Sequence, residues 1–448
     1  MAAPAAAAVQ PLPWYSELNR GHWHVLTASF LGWIFDGYEA YALLLVMTPA
    51  LRQLLEPAEL PDLPRYAGIL VAITLLGWAV GGLLGGIVAD YLGRKRTMMA
   101  TIFLYAIFTG LTAFVHNWPQ MALFRFMTGL GLGGEWATGA TLIAESWPPR
   151  ARSKGQGIMQ SAFGWGSLLA AAAWYFLGSL GGPSAWRYLF LVGVIPAFFV
   201  LYIRRHVHES EKWLQRHRER KELRRRRRSG LRLSSEETVA ADFTLAVLFR
   251  NPQLRRLVLL CMVMSLATTL GYWAVSSWIP AYAESVAKAA SAGDPARWAA
   301  LAGVLYNVGA IIGYLAAGFL ADVIGRRPLL VCFFAGSLLT TPLVYWWAHS
   351  PATLVAAAAV NGVFTLGQFA WMAIYPPELF PTALRCTAVS LIFNTARFIS
   401  CLGPLVAGLL ITRLGGYSAT ALLFSLIYLL GLCAVVVLPE TKGRALPA

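Results

Sequence analysis

The feature that most constrains this chain is a row of apolar blocks, each roughly twenty or more residues long, separated by short segments rich in charge, Pro or Gly. An α-helix rises about 1.5 Å per residue, so a block of that length crosses the ~30 Å hydrocarbon layer of a bilayer. A soluble core helix would be shorter and amphipathic. The blocks predict spans near 24–50, 66–90, 97–116, 119–146, 153–180 and 185–205. A second set follows near 254–284, 298–322, 328–349, 351–377, 383–412 and 417–438. Composition supports this reading: 58% of the residues are hydrophobic and only 13% charged, whereas a soluble domain carries about 25% charged residues. The chain reads as an all-α membrane protein with about twelve transmembrane helices.

The formal net charge of +15 invites a nucleic-acid partner, but its placement answers to topology. With the N-terminus inside, the only Lys and Arg in outer segments are Arg52, Arg65, Arg187, Lys288, Arg297 and Arg413; Arg125 and Arg397 fall within spans. All others lie on the inner side, so the positive-inside rule puts both termini in the cytoplasm of a cell (inner) membrane. The expected organisation is a cytoplasmic tail (1–23), a six-helix bundle (24–205), a basic solvated linker (206–250), a second bundle (251–438) and a short tail (439–448). The partners expected are the bilayer and a small organic solute, with no nucleic acid and a functional monomer. Residues Met1 to Gln10 are Ala-rich without a basic residue, unlike a cleaved signal peptide. Cys261, Cys332, Cys386, Cys401 and Cys433 form no C-x-x-C pair, so neither a disulfide framework nor a metal site is expected. The linker run Arg224 to Arg228 offers a second role, attraction to anionic lipid.

Two motifs recur. Gly86-Ile-Val-Ala-Asp90-Tyr-Leu-Gly93-Arg94-Lys95 returns as Gly318-Phe-Leu-Ala-Asp322-Val-Ile-Gly325-Arg326-Arg327. Glu145-x-x-Pro148-x-x-x-Arg152 returns as Glu378-x-x-Pro381-x-x-x-Arg385. The two offsets agree within one residue, which makes duplication of a six-span unit the economical explanation. Parallel repeats imply two bundles about an axis along the membrane normal. The paired G-x-x-x-D-x-x-G-R-[RK] turns resemble the major facilitator superfamily, which implies its fold, two pseudo-symmetric six-helix bundles, and alternating access. In that fold these fourteen positions (Gly86, Asp90, Gly93, Arg94, Lys95, Glu145, Arg152 and their repeats) are expected to gate: each Asp ends a helix facing arginines in the next loop, and the charge pairs bias one of two states.

Narrower likenesses follow. Glu145-Ser-Trp-Pro148 with Arg152, Lys154 and Gly155, then Trp186-Arg187 through Ile195-Pro196, is similar to sialate:proton symporters. Asp36-Gly-Tyr-Glu39 is similar to the D-G-x-D pattern of aromatic-acid:proton symporters, with Glu at the last position. His208-Glu-Ser-Glu-Lys-Trp213-Leu214 and Pro439-Glu-Thr-Lys-Gly443 resemble sugar-porter ends, with His208 where those have Pro. The Pro-rich signature of drug:proton antiporters is missing, since no proline lies between Pro149 and Pro183.

Ionisable groups within a membrane are expensive and point to function. Among the acids only Asp36, Glu39 and Glu135 sit well inside a span. Asp36 and Glu39 share a helix face; two carboxylates so close in low dielectric cannot both ionise cheaply, so the pair is expected to carry a coupling proton. Glu135, in Gly131-Leu-Gly-Gly134-Glu135, can approach the cavity through close glycine packing. Arg125 is about 15 Å along the same helix from Glu135, too far to pair with it but able to reach the acids of the first span, in a coupling or a structural role. Arg397 is the candidate for binding a carboxylate bidentately, on a polar stripe with Ser390, Asn394 and Cys401 and with no obvious acid opposite it in the second half. Stripes with Gln160, Gln368, Asn361, Tyr272 and Asn307 are expected on the same cavity, although each such residue can equally bond a neighbouring helix.

The function implied is proton-coupled symport of a small organic acid anion, with the proton as coupling ion and no cofactor. The alternative is a sugar or polyol transporter of the same superfamily, for which Gln and Asn would be the ligands; a sensor signalling through the basic loop is a third. No catalytic motif suggests an enzyme.

Overall fold

The computed structural model describes residues 13–448 apart from 181, 230, 232–241, 404, 405, 407–409, 412, 415 and 448. The first twelve residues of the expected tail, part of the linker and part of the span expected at 383–412 therefore lie outside the described residues. The first half contains α1 (Arg20–Leu54), α2 (Leu63–Leu92), α3 (Arg94–Thr112), α4 (Trp118–Ser146), α5 (Pro149–Leu180), α6 (Ala185–Val192) and α7 (Ile195–His206). After α8 (Glu211–Arg228) and α9 (Thr244–Arg250) come α10 (Pro252–Ala274), α11 (Ile279–Ala289), α12 (Pro295–Ile324) and α13 (Arg326–Pro342). The chain then runs through α14 (Pro351–Thr365), α15 (Ala370–Ile374), α16 (Pro376–Leu379), α17 (Arg385–Ser400), α18 (Tyr417–Ser425) and α19 (Ile427–Val437). Several spans are thus two helices in line, such as α6 with α7 and α10 with α11.

Eight helical stretches among the described residues are long and apolar enough to cross a membrane on their own. The helices α3, α4 and α5 reach the length but not the apolarity. For α4 the reason is burial along most of its course: a helix facing protein rather than lipid is free to carry Gly, Thr and charge.

Helix starts follow local chemistry. Asn117, Asn251, Asp294 and Ser350 each accept a first-turn N–H, with Pro in the opening turn, which satisfies a donor the helix cannot. Close packing follows the glycines. Gly77, Gly81 and Gly85 of α2 lie against the α4 backbone, and Gly309 and Gly313 of α12 against that of α14. A Cβ at any of them would strike main chain, so the helices meet as small-residue membrane interfaces do. Gly309 and Gly313 occupy the repeat positions of Gly77 and Gly81, so the duplication extends into packing.

The two halves meet chiefly where α2 packs on α17 and α5 on α12, contacts that the repeat relates to each other. The expected solvated linker is in part a docked helix. Trp213 of α8 is buried and donates to the Asp90 carbonyl at 3.0 Å, and the Arg220 Nη2 donates to the Ala383 carbonyl at 3.2 Å.

Candidate functional site

The α2–α3 and α12–α13 turns are one residue long, and each uses a glycine with positive φ: Gly93 at 104° and Gly325 at 96°. The reversal brings the next residue's guanidinium back over the helix just ended. Arg94 Nη1 donates to the Ala89 carbonyl at 3.0 Å and Arg326 Nη1 to that of Ala321 at 2.9 Å. Each arginine also pairs with the motif aspartate one turn back, at 3.0 Å in both copies. The second motif completes the network: Glu145 sits 3.0 Å from Arg94, and Glu378 2.7 Å from Arg326.

From these turns the halves are tied together. Asp90 Oδ2 accepts the Thr387 N–H at 2.8 Å and its hydroxyl at 2.6 Å. Arg94 donates to the Thr382 carbonyl, and Arg385 reaches Glu145 at 3.0 Å. On the other side Asp322 takes Lys154 and the Ser153 hydroxyl, both at 2.5 Å. Gly86 lies against Ser390 and Gly318 against Ser153, Lys154 and Gly157, so the motif's first glycine is where the halves touch. The basic face of the molecule is closed.

Two carboxylates in the segments that resemble sugar-porter ends, to which the motifs assign no role, brace the turns from within each half. Glu209 accepts the N–H groups of Arg94 and Lys95 at 3.0 and 3.1 Å; Glu440 accepts those of Arg326 and Arg327, both at 2.9 Å. Each carboxylate caps the helix that starts at the turn. The signal was present: Glu209-Ser210 and Glu440-Thr441 each follow the last helix of a half.

Beyond the closure, α1, α4 and α17 bring buried charges together. Gly32 of α1 lies against the Glu135 carboxyl and Gly37 against the Phe163 backbone, which seats α1 tightly on α4 and α5. Glu39 pairs with Arg125 at 3.1 Å; Arg125 Nη2 also donates to the hydroxyls of Thr109, Thr112 and Thr128 at 3.4, 2.9 and 3.1 Å, and its guanidinium lies 4.6 Å from the Phe190 ring centre. Within that pair Glu39 Oε1 and Arg125 Nε are buried without a partner among the described residues. Around Asp36 and Glu135 no N–H or O–H donor among the described residues reaches any of the four buried carboxyl oxygens, and the two carboxyls lie within hydrogen-bond reach of each other. Asp36 is close enough to both Glu135 and Arg397 for their charges to interact. The anion opposite Arg397, sought in vain within the second half, comes from the first.

Arg397 lines a narrow cavity between the halves, with about 50 Å³ of free space for water-sized occupants. Its walls are aromatic: Trp33, Trp78 and Phe163 from the first half, Tyr272, Phe369 and Phe393 from the second. The guanidinium lies 4.5 Å from the Trp78 ring and 3.9 Å from that of Phe393. Its Nη1 donates to the Asn394 side-chain oxygen at 3.1 Å and the Phe393 carbonyl at 3.2 Å, which fixes its direction.

A family model described as "Sugar (and other) transporter" matches residues 25–448. The chain belongs to that family of major facilitator transporters. It is 31% identical over 434 residues to a Haemophilus influenzae protein named for metabolite transport, covering 96% of this chain and 99% of that one. To a Cupriavidus pinatubonensis protein named for 4-methylmuconolactone transport it is 29% identical over 443 residues, covering 97% and 94%. Among solved structures, a proton:xylose symporter superposes with a TM-score of 0.74 at 21% identity, covering 95% of this chain and 98% of that one. As a member of this family the protein is a multi-pass secondary transporter with the major facilitator fold, not an enzyme.

Within that fold the expected substrate ligands divide. Arg397 and Tyr272 line the cavity, and Asn394 orients Arg397. Arg125, Gln160, Gln368, Asn361 and Asn307 do not line it, because their polar atoms bond within the protein. Gln160 accepts from Trp136 at 2.5 Å and donates to the Phe369 carbonyl at 3.1 Å; Asn361 donates to Thr340 at 3.0 Å. Gln368 donates to Ser337 at 3.3 Å and to the Thr365 carbonyl at 3.1 Å, and Asn307 to the Gly303 carbonyl at 2.9 Å. Buried amides must be satisfied, and here neighbouring helices do it. The aromatic walls were hidden among seventeen Trp and twenty-three Phe because lipid-facing and cavity-facing rings look alike in sequence.

Proposed function

We propose that the protein is a proton-coupled symporter that takes up a small, flat organic anion, with Arg397 binding the carboxylate and Asp36 with Glu135 carrying the proton. The observation that carries this reading is Arg397 in an aromatic-walled cavity, with Asp36 of the opposite half as its charge neighbour. A guanidinium offers two parallel N–H donors to a carboxylate. Trp78, Phe393 and the other rings suit a planar body, stacking against it where a ring of hydroxyls would go unpaired. The amides a sugar or polyol would need are bound elsewhere in the protein, which favours the anion over that alternative.

Coupling follows from competition for one cation. With Asp36 ionised, Arg397 already has its anion. A proton on the Asp36–Glu135 pair removes that anion, and the substrate carboxylate replaces it, so the charge of the site is conserved when both bind. Binding of proton and substrate is then linked in both directions. Return to the empty carrier requires the proton to leave, restoring Asp36 to Arg397. Glu39 and Arg125 form a separate ion pair beside this site and hold α1 on α4. The excess of Lys and Arg on the closed face makes that face cytoplasmic, in an inner membrane with both termini inside.

Purified protein in liposomes, given an inward proton gradient, is expected to accumulate aromatic or unsaturated carboxylates but not xylose or polyols. Asp36→Asn should lose gradient-driven accumulation and keep counterflow; Arg397→Ala should lose both. Uptake by the native protein that ignores pH and uncouplers would remove the proton from the mechanism, and sugar uptake that survives Arg397→Ala would restore the sugar reading.

A further inference from the structure

Where α8 passes the end of α2, an open pocket is lined by His217, Arg220, Lys221, Arg224, Arg225 and Arg228 around the ring of Tyr91. His217, Lys221, Arg224, Arg225 and Arg228 recur at helical spacing, so one face of α8 presents them together, and Lys221, Arg225 and Arg228 are exposed. The guanidinium groups of Arg220 and Arg224 lie 5.0 and 5.2 Å from the Tyr91 ring centre. Burial, with the neighbouring charges of Lys221, Arg220 and Arg224, pushes the His217 imidazole below its ordinary value.

The surroundings of the pocket are apolar. Leu84, Val88 and Leu92 form an exposed stripe one turn apart down α2, at 54%, 39% and 56% exposure, ending beside Tyr91. Exposed Phe243 stacks on Tyr91, ring centres 6.5 Å apart. A basic pocket at the foot of a lipid-facing stripe fits an amphiphile better than a soluble ion: headgroup in the pocket, acyl chains along α2. The site is built on a fixed helix, since Trp213 holds α8 to the Asp90 carbonyl and Arg220 holds it to Ala383 of the other half.

We propose that α8 and the end of α2 form a binding site for the headgroup of an anionic phospholipid on the basic face of the membrane. Because α8 touches both halves, the bound lipid stabilises the form that is closed on that face. This site is separate from the transport cavity and does not depend on what the cavity carries.

The test uses the full chain in nanodiscs and detergent, with phosphatidylglycerol against phosphatidylcholine as probes, read by native mass spectrometry and thermal unfolding. Phosphatidylglycerol should be retained and should raise the melting temperature; phosphatidylcholine should do neither. With about fivefold in affinity for each basic side chain that holds the headgroup, Lys221→Gln/Arg225→Gln/Arg228→Gln should bind about 100-fold more weakly. Lys221→Gln alone should lose about fivefold, which keeps the idea testable if the triple variant folds poorly. Arg255→Gln/Arg256→Gln, which removes exposed charge from the same face outside the pocket, should lose no more than that single substitution. Equal losses in the triple and the control variants would overturn the site in favour of diffuse surface attraction. Saturation by inositol hexakisphosphate as readily as by phosphatidylglycerol would overturn the lipid in favour of a soluble polyanion.

Discussion

At Gly93 and Gly325 the chain makes the same turn with the same Asp–Arg–Glu set, yet the two copies are loaded differently. In the first, Asp90, Arg94, Glu145 and Arg385 have no exposed side-chain surface, and Glu145 serves two arginines, one from each half. In the second, Asp322 retains 24% of its side-chain exposure and its partner across the halves is Lys154, at 12%. Arg152, the repeat of Arg385, makes no ion pair among the described residues, and its Nε is buried without a partner. Instead Glu378 takes Arg326 and the Thr441 hydroxyl, both within its own half. Duplication therefore supplied two equivalent latches, and packing has made the α2–α17 side a dry one and the α5–α12 side a wet one. A dry ion pair is costly to break, because removing one partner leaves a charge in low dielectric; a wet one yields at little cost.

The largest break should come from Glu145→Gln. It leaves Arg94 and Arg385 buried with too little counter-charge, a loss of about 3–5 kcal/mol for a buried pair. A shift of that size moves a two-state equilibrium by roughly two to four orders of magnitude, as roughly 1.4 kcal/mol is tenfold. The protein should open on its basic face, read as new labelling of cysteines placed at that closure. Glu378→Gln should open it far less, because Glu378 pairs only within its own half and the crossing pair of Lys154 with Asp322 remains. Equal effects of the two substitutions would mean that the latches are equivalent after all.

Next in size is the arginine pair. Arg385→Gln removes the charge that crosses to Glu145 and should cost about 2 kcal/mol of the closed form, less than Glu145→Gln because Arg94 remains. Arg152→Gln removes a buried charge that has no ion-pair partner here and should leave the closed form's melting temperature unchanged or slightly higher. If Arg152→Gln proved as damaging as Arg385→Gln, the asymmetry would be a property of one conformation only. Lys154→Ala is a smaller break, below about 1 kcal/mol, and should disappear in high salt because a partly exposed pair is screened. The effect of Glu145→Gln should survive the same salt.

This asymmetry marks the boundary of what the sequence could disclose. The spans, the duplication and the charged motif positions were legible because they rest on block length and on recurrence, and the two copies of each motif differ among their charged residues only at Lys95 and Arg327. Which copy is dry was not, since burial of Asp90 and exposure of Asp322 depend on how α17 and α5 pack across the axis. The same limit applied at the candidate site. Asp36, Glu135 and Arg397 stood out because charge is rare in a span, but the association of Asp36 with Arg397 joins residues 361 positions apart on different halves. The amides misled for a related reason: a polar stripe looks the same whether it faces a cavity or a neighbouring helix, and for Gln160, Asn361 and Gln368 the neighbouring helix won. The linker was read as solvated from its charge, while Trp213, the residue that docks it, is one apolar side chain in a basic run.

The smallest expected difference concerns the two capping carboxylates, which do the same work in unlike surroundings. Burial is the largest influence on each and acts upward. At Glu209 burial prevails over the N–H groups of Ser210, Arg94 and Lys95 and the Arg94 charge, so its carboxyl sits above the ordinary 4.5. At Glu440 the N–H groups of Arg326, Arg327, Lys442 and Thr441 prevail, and the carboxyl sits below 4.5. Linkage gives opposite signs. The stability contributed by Glu440 is fully present above the ordinary value and is lost as pH falls through its lowered folded value. Ionised Glu209 instead carries a cost above its raised folded value, and that cost is relieved as pH falls. Glu440→Gln should therefore lower the melting temperature at about pH 7, with the gap to the native protein closing toward about pH 4. For Glu209→Gln the comparison should move the other way, the native protein gaining on the variant as pH falls over the same range. Melting curves of both variants across that range decide it, and parallel pH profiles for the two would show that the caps sit in equivalent surroundings despite their different burial.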